Sequence, residues 1–249
     1  MAPEPGKTPG LLRPDWPLPP GVGALYSTRD GGVSLPPYRS LNLGDHVGDD
    51  PAAVAANRSL LRRSLPGQPV WLRQVHGLEV IDVAQVAQEA PEADAAVAFA
   101  PGRVCAVLTA DCLPVLFARD DGSAVGAAHA GWRGLAGGVL EATVEKLGGA
   151  AGLSAWLGPA IGPEAFEVGA EVREAFLAHD AAAEMAFRPT GLPGKWWADL
   201  YRLARLRLAA LGVERVYGGG ACTVSEAERY FSYRRDGRTG RMACLVWLE

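Results

Sequence analysis

Apolar residues recur along this chain in short runs broken by glycine and proline, and only a few stretches carry a helical period. Residues 22–27 form the first strand-like run, closed by a turn at Asp30, Gly31 and Gly32 where absent side chains permit positive φ. Thr28 and Arg29 then fall at a strand end. Asp50 followed by Pro51 reads as an N-cap and first-turn proline for a helix to about Ser64, with Val54, Leu60 and Leu61 among its apolar positions. Pro66 and Gly67 stop it. β-prone segments follow at 69–74, 79–83, 93–99, 104–109, 113–118 and 123–128, so the middle of the chain is expected to be sheet.

Residues 134–147 and 169–179 read as helices, with a β-prone LSAWLG segment between them. The clearest amphipathic helix is predicted over 196–211, where Trp197, Leu200, Ala204, Leu208 and Leu211 fall at helical spacing while Arg202 and Arg205 point elsewhere. Gly212 supplies its stop. Strands are predicted at 214–217 and 242–248, the second a nearly continuous apolar run suited to a central position. This alternation predicts an α/β protein of the α+β type.

The 249 residues are 49% hydrophobic and 21% charged, enough to bury one sizeable core, and no linker or repeat divides residues 21–249, read as a single domain. Seven prolines among the first twenty residues exclude both a helix and the apolar core of a signal peptide, so residues 1–20 are expected to be a flexible arm. A formal charge of -4 lacks the cationic footprint of a nucleic-acid binder and favours a small-molecule partner. No apolar run approaches the roughly 18–20 residues of a membrane-spanning helix, so no membrane partner is expected. Cys105, Cys112, Cys222 and Cys244 are too sparse for a disulfide framework and fit free thiols in a reducing cytoplasm.

Four histidines occur, His46, His76, His129 and His179. His76 in RQVHG and His129 in AAHAGWRG both leave β-prone segments into glycine, a setting that holds the backbone while leaving the imidazole open to a ligand. A hydrogen-bonded structural histidine is the alternative for each. Cys112 lies in TADCLPVLF, 17 residues before His129. Two histidines and a cysteine make a soft three-ligand set with an open fourth position, for which zinc is the simplest tenant. Cys112 as a small buried hydrophobe is the competing reading, and it is the one kept for Cys105 and Cys244. Cys222, in GGGACT, stays undecided.

Long motifs then occur in order: YSTRDGGVS, YRSLNLGDHVGDDP, RQVHG, TADCLPVLF, GAAHAGWRGL, LGPAIGPEAFEVG and YFSYRRDGRTGRMACLVWL. On these, from about residue 20 onward, the chain resembles the YfiH family of laccase-domain proteins, described both as polyphenol oxidoreductases and as zinc-dependent purine nucleoside phosphorylases. The resemblance implies a mixed β-sheet sandwich flanked by helices. It implies zinc ligands, and catalytic groups, at His76, Cys112 and His129. It also implies phosphorolysis of adenosine, inosine, guanosine or methylthioadenosine, and deamination of adenosine.

Phosphorolysis needs cations for phosphate and an acid for the departing purine. Arg133, four residues after His129 and near a predicted helix start, is the first candidate for phosphate; Arg29 and Arg58 are weaker ones, with a salt-bridged surface arginine as the alternative. Deamination needs a carboxylate to move protons, and Asp111 is the first choice, provided the strand has ended there. Asn42 is a candidate for ribose or base, with Ser40 and His46 beside it as second-tier residues. Two other readings stand alongside: copper-dependent phenol oxidation, opposed by only four histidines and no HxH pair, and a metal-free cysteine hydrolase acting through Cys112 on peptidoglycan precursors.

Overall fold

A computed structural model describes residues 10–86 and 90–249. The chain begins with β1 (Leu11–Leu12) and β2 (Val22–Ser27), an antiparallel pair, and then α1 (Pro51–Arg62). The Asp50 carboxylate caps α1 as expected, accepting from the Ala52 amide at 2.9 Å, with Pro51 in the first turn. The β-prone middle supplies β3 (Gln68–Val70), β4 (Val80–Asp82), β5 (Ala95–Ala98), β6 (Arg103–Thr109), β7 (Leu113–Arg119) and β8 (Val125–Ala130). α2 (Trp132–Gly137) and α3 (Val139–Lys146) lead to β9 (Leu153–Leu157). β10 (Glu167–Gly169), α4 (Ala170–Leu177), β11 (Phe187–Pro189), β12 (Lys195–Ala198), α5 (Leu200–Ala210), β13 (Arg215–Gly218), α6 (Tyr233–Asp236) and β14 (Met242–Leu248) complete it.

Strands β1-β2-β14-β6-β3 form one sheet, β13-β9-β7-β8-β5-β4 a second, and β10-β12-β11 a small third. Both large sheets are mixed: β14 runs antiparallel to β2 and β6, whereas β3 is parallel to β6 and β4 to β5. All of β14 is buried, which its unbroken apolar run anticipates for a central strand. Side chains alternate between faces, so Cys105, Val107, Cys244 and Val246 meet Leu116, Ala118, Val125 and Ala127 between the two sheets. The outer face of the first sheet, including Ala106 and Leu245, packs on Leu61 of α1. The outer face of the second, including Val115 and Phe117, packs on Leu135, Leu140, Phe176 and Leu208 of the later helices. Fully burying Phe117 contributes about 1.5–3 kcal/mol relative to exposure. The result is a helix–sheet–sheet–helix sandwich of the predicted α+β class. Among the described residues no helix is long and apolar enough to cross a membrane.

Four local expectations are corrected. The helix over 134–147 divides at Gly138, whose φ of 108° breaks the ladder into α2 and α3. The helix over 196–211 starts later, because Trp196 and Trp197 pair with β10 and β11, and the Asp199 carboxylate caps α5 by accepting from the Arg202 amide at 3.0 Å. The strand over 69–74 stops at Val70, and the Gln74 side chain continues the pairing instead: its Nε2 donates to the Leu108 carbonyl at 2.8 Å and its Oε1 accepts from the Leu108 amide at 2.7 Å. Of the expected arm, residues 1–9 lie outside the described residues. From Gly10 onward the chain is docked: β1 pairs with β2, and buried Trp16 donates from Nε1 to Ser154 Oγ at 3.2 Å. Prolines exclude a helix there, yet they also restrict the unfolded chain, so fixing it against the sheets costs less entropy.

Candidate metal centre and adjoining recess

The strand ends assemble the site. Leu113 pairs with Ala130 and Pro114 with His129, so Cys112, one residue before β7, faces the place where β8 runs through Gly131 into α2. His76 arrives on the loop after β3, anchored to β6 by the Gln74 pairing. One nitrogen from each histidine and the Cys112 sulfur lie within 4.8 Å of one another, the group of this kind found among the described residues. Cys112 Sγ is 3.7 Å from His76 Nε2, and the two imidazole rings meet edge to face at 4.8 Å between centroids.

Asp94, a residue that sequence reasoning passed over, holds this arrangement. Its fully buried carboxylate accepts from three successive backbone amides, Val75 at 3.1 Å, His76 at 2.9 Å and Gly77 at 2.7 Å. Successive N–H groups of this kind form an anion-binding concavity, and His76 adopts φ 62° to complete it. The same carboxylate accepts from His129 Nδ1 at 2.8 Å. One buried anion thus fixes the main chain carrying His76 and the ring of His129, leaving His129 Nε2 for the centre. The signal in the sequence is an acid set directly before the apolar strand β5, where burial demands partners.

Burial alone would push the Cys112 thiol up, but the charge and hydrogen bond of His129, with His76 behind them, bring it down to about 6. Burial would likewise push His129 down, yet Cys112 and Asp94 raise it to about 9. In the metal-free protein Cys112 and His129 thus stand as a thiolate–imidazolium pair; once the His129 Nε2 proton is released, sulfur and ring-nitrogen donors would suit a soft or borderline divalent ion. Space is reserved for it: a Cβ on Gly131 would lie 2.9 Å from both Cys112 Sγ and His76 Cδ2. On donor chemistry and room, the residues fit a metal ion.

Beside Cys112 lies a recess of about 140 Å³, walled by Asp111, Trp132, Phe166, Tyr233 and Arg234. Asp111 meets the condition set for it, since β6 has ended and its φ is 96°. Its carboxylate accepts from Thr223 Oγ1 at 2.5 Å and from the Arg234 amide at 2.6 Å, and each oxygen keeps a lone pair. Arg133 stands in the first turn of α2, but that helix has only six residues, and the exposed guanidinium stacks over Trp132 at 4.4 Å without lining the recess. Asn42 is corrected from ligand to support. Fully buried, it accepts at Oδ1 from Gly44 and Arg241 amides and donates from Nδ2 to the Gly44 carbonyl and Asp49, which uses its whole hydrogen-bonding capacity.

The other candidates are spread around this loop region. Arg29 donates to the Arg39 and Ala227 carbonyls, and Arg58 to the Leu43 carbonyl while pairing with Asp45 at 3.2 Å. Ser40 donates to the Arg29 carbonyl. His46 lines a second recess, and His179 sits just beyond α4, apart from the metal-ligand group. Cys105 and Cys244 are buried core residues whose thiols burial pushes well up, as their hydrophobic reading requires. Cys222 accepts from the Gly162 amide at 3.3 Å, giving its sulfur a place in the loop packing.

Sheet ends that present a His/Cys/His group beside an aromatic-walled recess define an α+β sandwich protein with a candidate mononuclear metal centre. Residues 23–249 match the family described as multi-copper polyphenol oxidoreductase laccase, and the chain belongs to that family. It is 57% identical over 241 residues to the purine nucleoside phosphorylase YfiH of Shigella flexneri, covering 96% of this chain and 98% of the relative. A Pseudomonas aeruginosa protein, also named a purine nucleoside phosphorylase, is 56% identical across 96% of this chain and 98% of its own. A crystal structure of a Neisseria meningitidis protein superposes with a TM-score of 0.93 at 51% identity, covering 96% of this chain and 99% of that one.

Proposed function

We propose that the protein is a zinc-dependent purine nucleoside phosphorylase, cleaving adenosine, inosine, guanosine or methylthioadenosine with phosphate and also deaminating adenosine. The observation that carries this reading is the convergence of His76, Cys112 and His129, of which Cys112 also lines a recess walled by Trp132, Phe166 and Tyr233. The names of the close relatives support it. Bound there, zinc would supply Lewis-acid and water-activating chemistry. The charge and hydrogen bond of His129, with His76 behind them, hold Cys112 as a thiolate, and Asp94 orients His129. The aromatic walls stack a planar purine and exclude water from it. Asp111, on the wall next to Cys112, is the group placed to hold or move a proton at the base. The free thiols fit action in the cytoplasm. The single three-donor group among the described residues does not offer the several centres of a multicopper oxidase.

The test incubates zinc-loaded protein with adenosine, with and without phosphate, and separates adenine, inosine and hypoxanthine by chromatography. Phosphate-dependent release of adenine is expected, together with inosine formed regardless of phosphate. Absence of turnover of any purine nucleoside would overturn the reading and favour a cysteine hydrolase.

A further inference from the structure

Tyr233 borders two recesses. One is the apolar recess at Cys112; the other, of about 350 Å³, is lined by His46, Arg238, Thr239 and Arg241. Its chemistry is cationic. Among the described residues no carboxylate lies within ion-pair distance of Arg238 or Arg241. Asp45, the acid next to His46, is engaged by Arg58 at 3.2 Å. Both arginines are held in place from behind rather than neutralised. Arg238 donates from Nε to the Tyr38 hydroxyl and from one terminal nitrogen to the Gly48 carbonyl, and Arg241 donates from one terminal nitrogen to the Thr239 and Gly240 carbonyls. The Arg241 backbone amide is fixed by Asn42 at 2.8 Å. Each guanidinium keeps donors in reserve.

Thr239 supplies an independent sign of a ligand. Its residue is 1% exposed, and its Oγ1 is buried with no hydrogen-bond partner. A buried hydroxyl without a partner costs free energy that a bound acceptor would recover.

We propose that the recess between Tyr233, Arg238, Thr239 and Arg241 binds a tetrahedral oxyanion, and that its occupant is the inorganic phosphate consumed in phosphorolysis. The choice of ligand rests on the phosphorylase reading; the anion site itself rests on the two unneutralised guanidinium groups and the orphaned hydroxyl. Arg238 and Arg241 supply charge-assisted donors, the Thr239 hydroxyl a further one, and the shared Tyr233 wall places the anion next to a nucleoside seated against Cys112. The phosphate role moves from Arg133 to this pair.

The test titrates inorganic phosphate, and separately adenosine 5′-monophosphate, into the full-length zinc-loaded protein at constant ionic strength by calorimetry. The variants are Arg238→Ala and the near-isosteric Thr239→Val, each checked for an unchanged melting temperature. Phosphate should bind the parent protein about tenfold or more tightly than Arg238→Ala, and Thr239→Val should fall between them. In turnover, the phosphate KM should rise by a similar factor while the nucleoside KM moves far less. Phosphate binding that is absent from the parent, or equal in all three proteins, would overturn the site. Monophosphate binding that depends on Arg238 where inorganic phosphate does not bind would overturn the choice of occupant. Variant-dependent phosphate binding without nucleoside cleavage would sustain the anion site and remove the phosphorylase reading. Phosphate-dependent cleavage with an unchanged phosphate KM in both variants would do the reverse.

Discussion

Asp94→Asn isolates the contribution of the buried carboxylate that joins the two histidines. Each carboxylate oxygen accepts twice: Oδ1 from the His76 amide and His129 Nδ1, Oδ2 from the Val75 and Gly77 amides. Asparagine has one accepting oxygen, so two of these four donors must face an NH₂ group. If the amide oxygen stays toward His129, the Val75 and Gly77 amides lose their acceptor. If it turns away, the His76 amide is orphaned and His129 can bond the amide only through an unprotonated Nδ1, which moves its proton to the Nε2 that faces Cys112. Hydrogen bonds to a charged group are worth about 1.5–3 kcal/mol each, so losing two destabilises the protein by roughly 3–6 kcal/mol. Loss of a group orienting a ligand histidine also weakens metal binding by about 10–100-fold. Denaturant unfolding of the metal-free protein measures the first quantity, and zinc competition against a chelator of known affinity the second. An Asp94→Asn protein that matched the parent in both would refute the reasoning.

Three further outcomes follow from the same geometry. Cys112→Ser and His76→Ala should each abolish retention of zinc through gel filtration together with nucleoside turnover, whereas His179→Ala, outside the ligand group, should spare both; full metal content after removal of either ligand would sink the three-ligand centre. Gly131→Ala should lower zinc affinity at least about tenfold through space alone, because its φ of -59° suits any residue while the new Cβ would crowd Cys112 and His76, and an unchanged affinity would show that the strand ends yield. The thiolate–imidazolium pair sets a pH window for the metal-free protein. Cys112 lies below its ordinary value, so its contribution is present above the ordinary thiol range and lost as pH falls through about 6. His129 lies above its ordinary value, so its contribution is present below the ordinary imidazole range and lost as pH rises through about 9. Between about 6 and 9 the two slopes are opposite and nearly cancel, so the melting temperature of the parent should stay nearly level across that window, whereas Cys112→Ser removes one slope and should tilt the profile; a parent profile as tilted as that of the variant would contradict the pairing.

Features governed by neighbours in sequence were legible in the chain itself. Asp50 and Pro51 announce the start of α1, the unbroken apolar run of β14 announces a central strand, and His76, Cys112 and His129 stand out by leaving apolar segments into glycine or a turn. Local error arose where two periods coincided: Trp197 and Leu200 fit a helical spacing, although Trp197 belongs to a strand whose partners lie elsewhere in the chain. The tertiary structure alone decided what depends on residues far apart in sequence. Asp94 reaches the amides of 75–77 and His129 only because β5 and β8 pair side by side; the Gln74 amide finds the end of β6; and Arg238, Thr239 and Arg241 acquire meaning only beside His46 and Tyr233. The physical reason is one of range. Caps, turns and strand propensity are set by steric and hydrogen-bonding choices within a few residues, whereas a buried charge or hydroxyl must find its partner across whatever sheet register the core imposes.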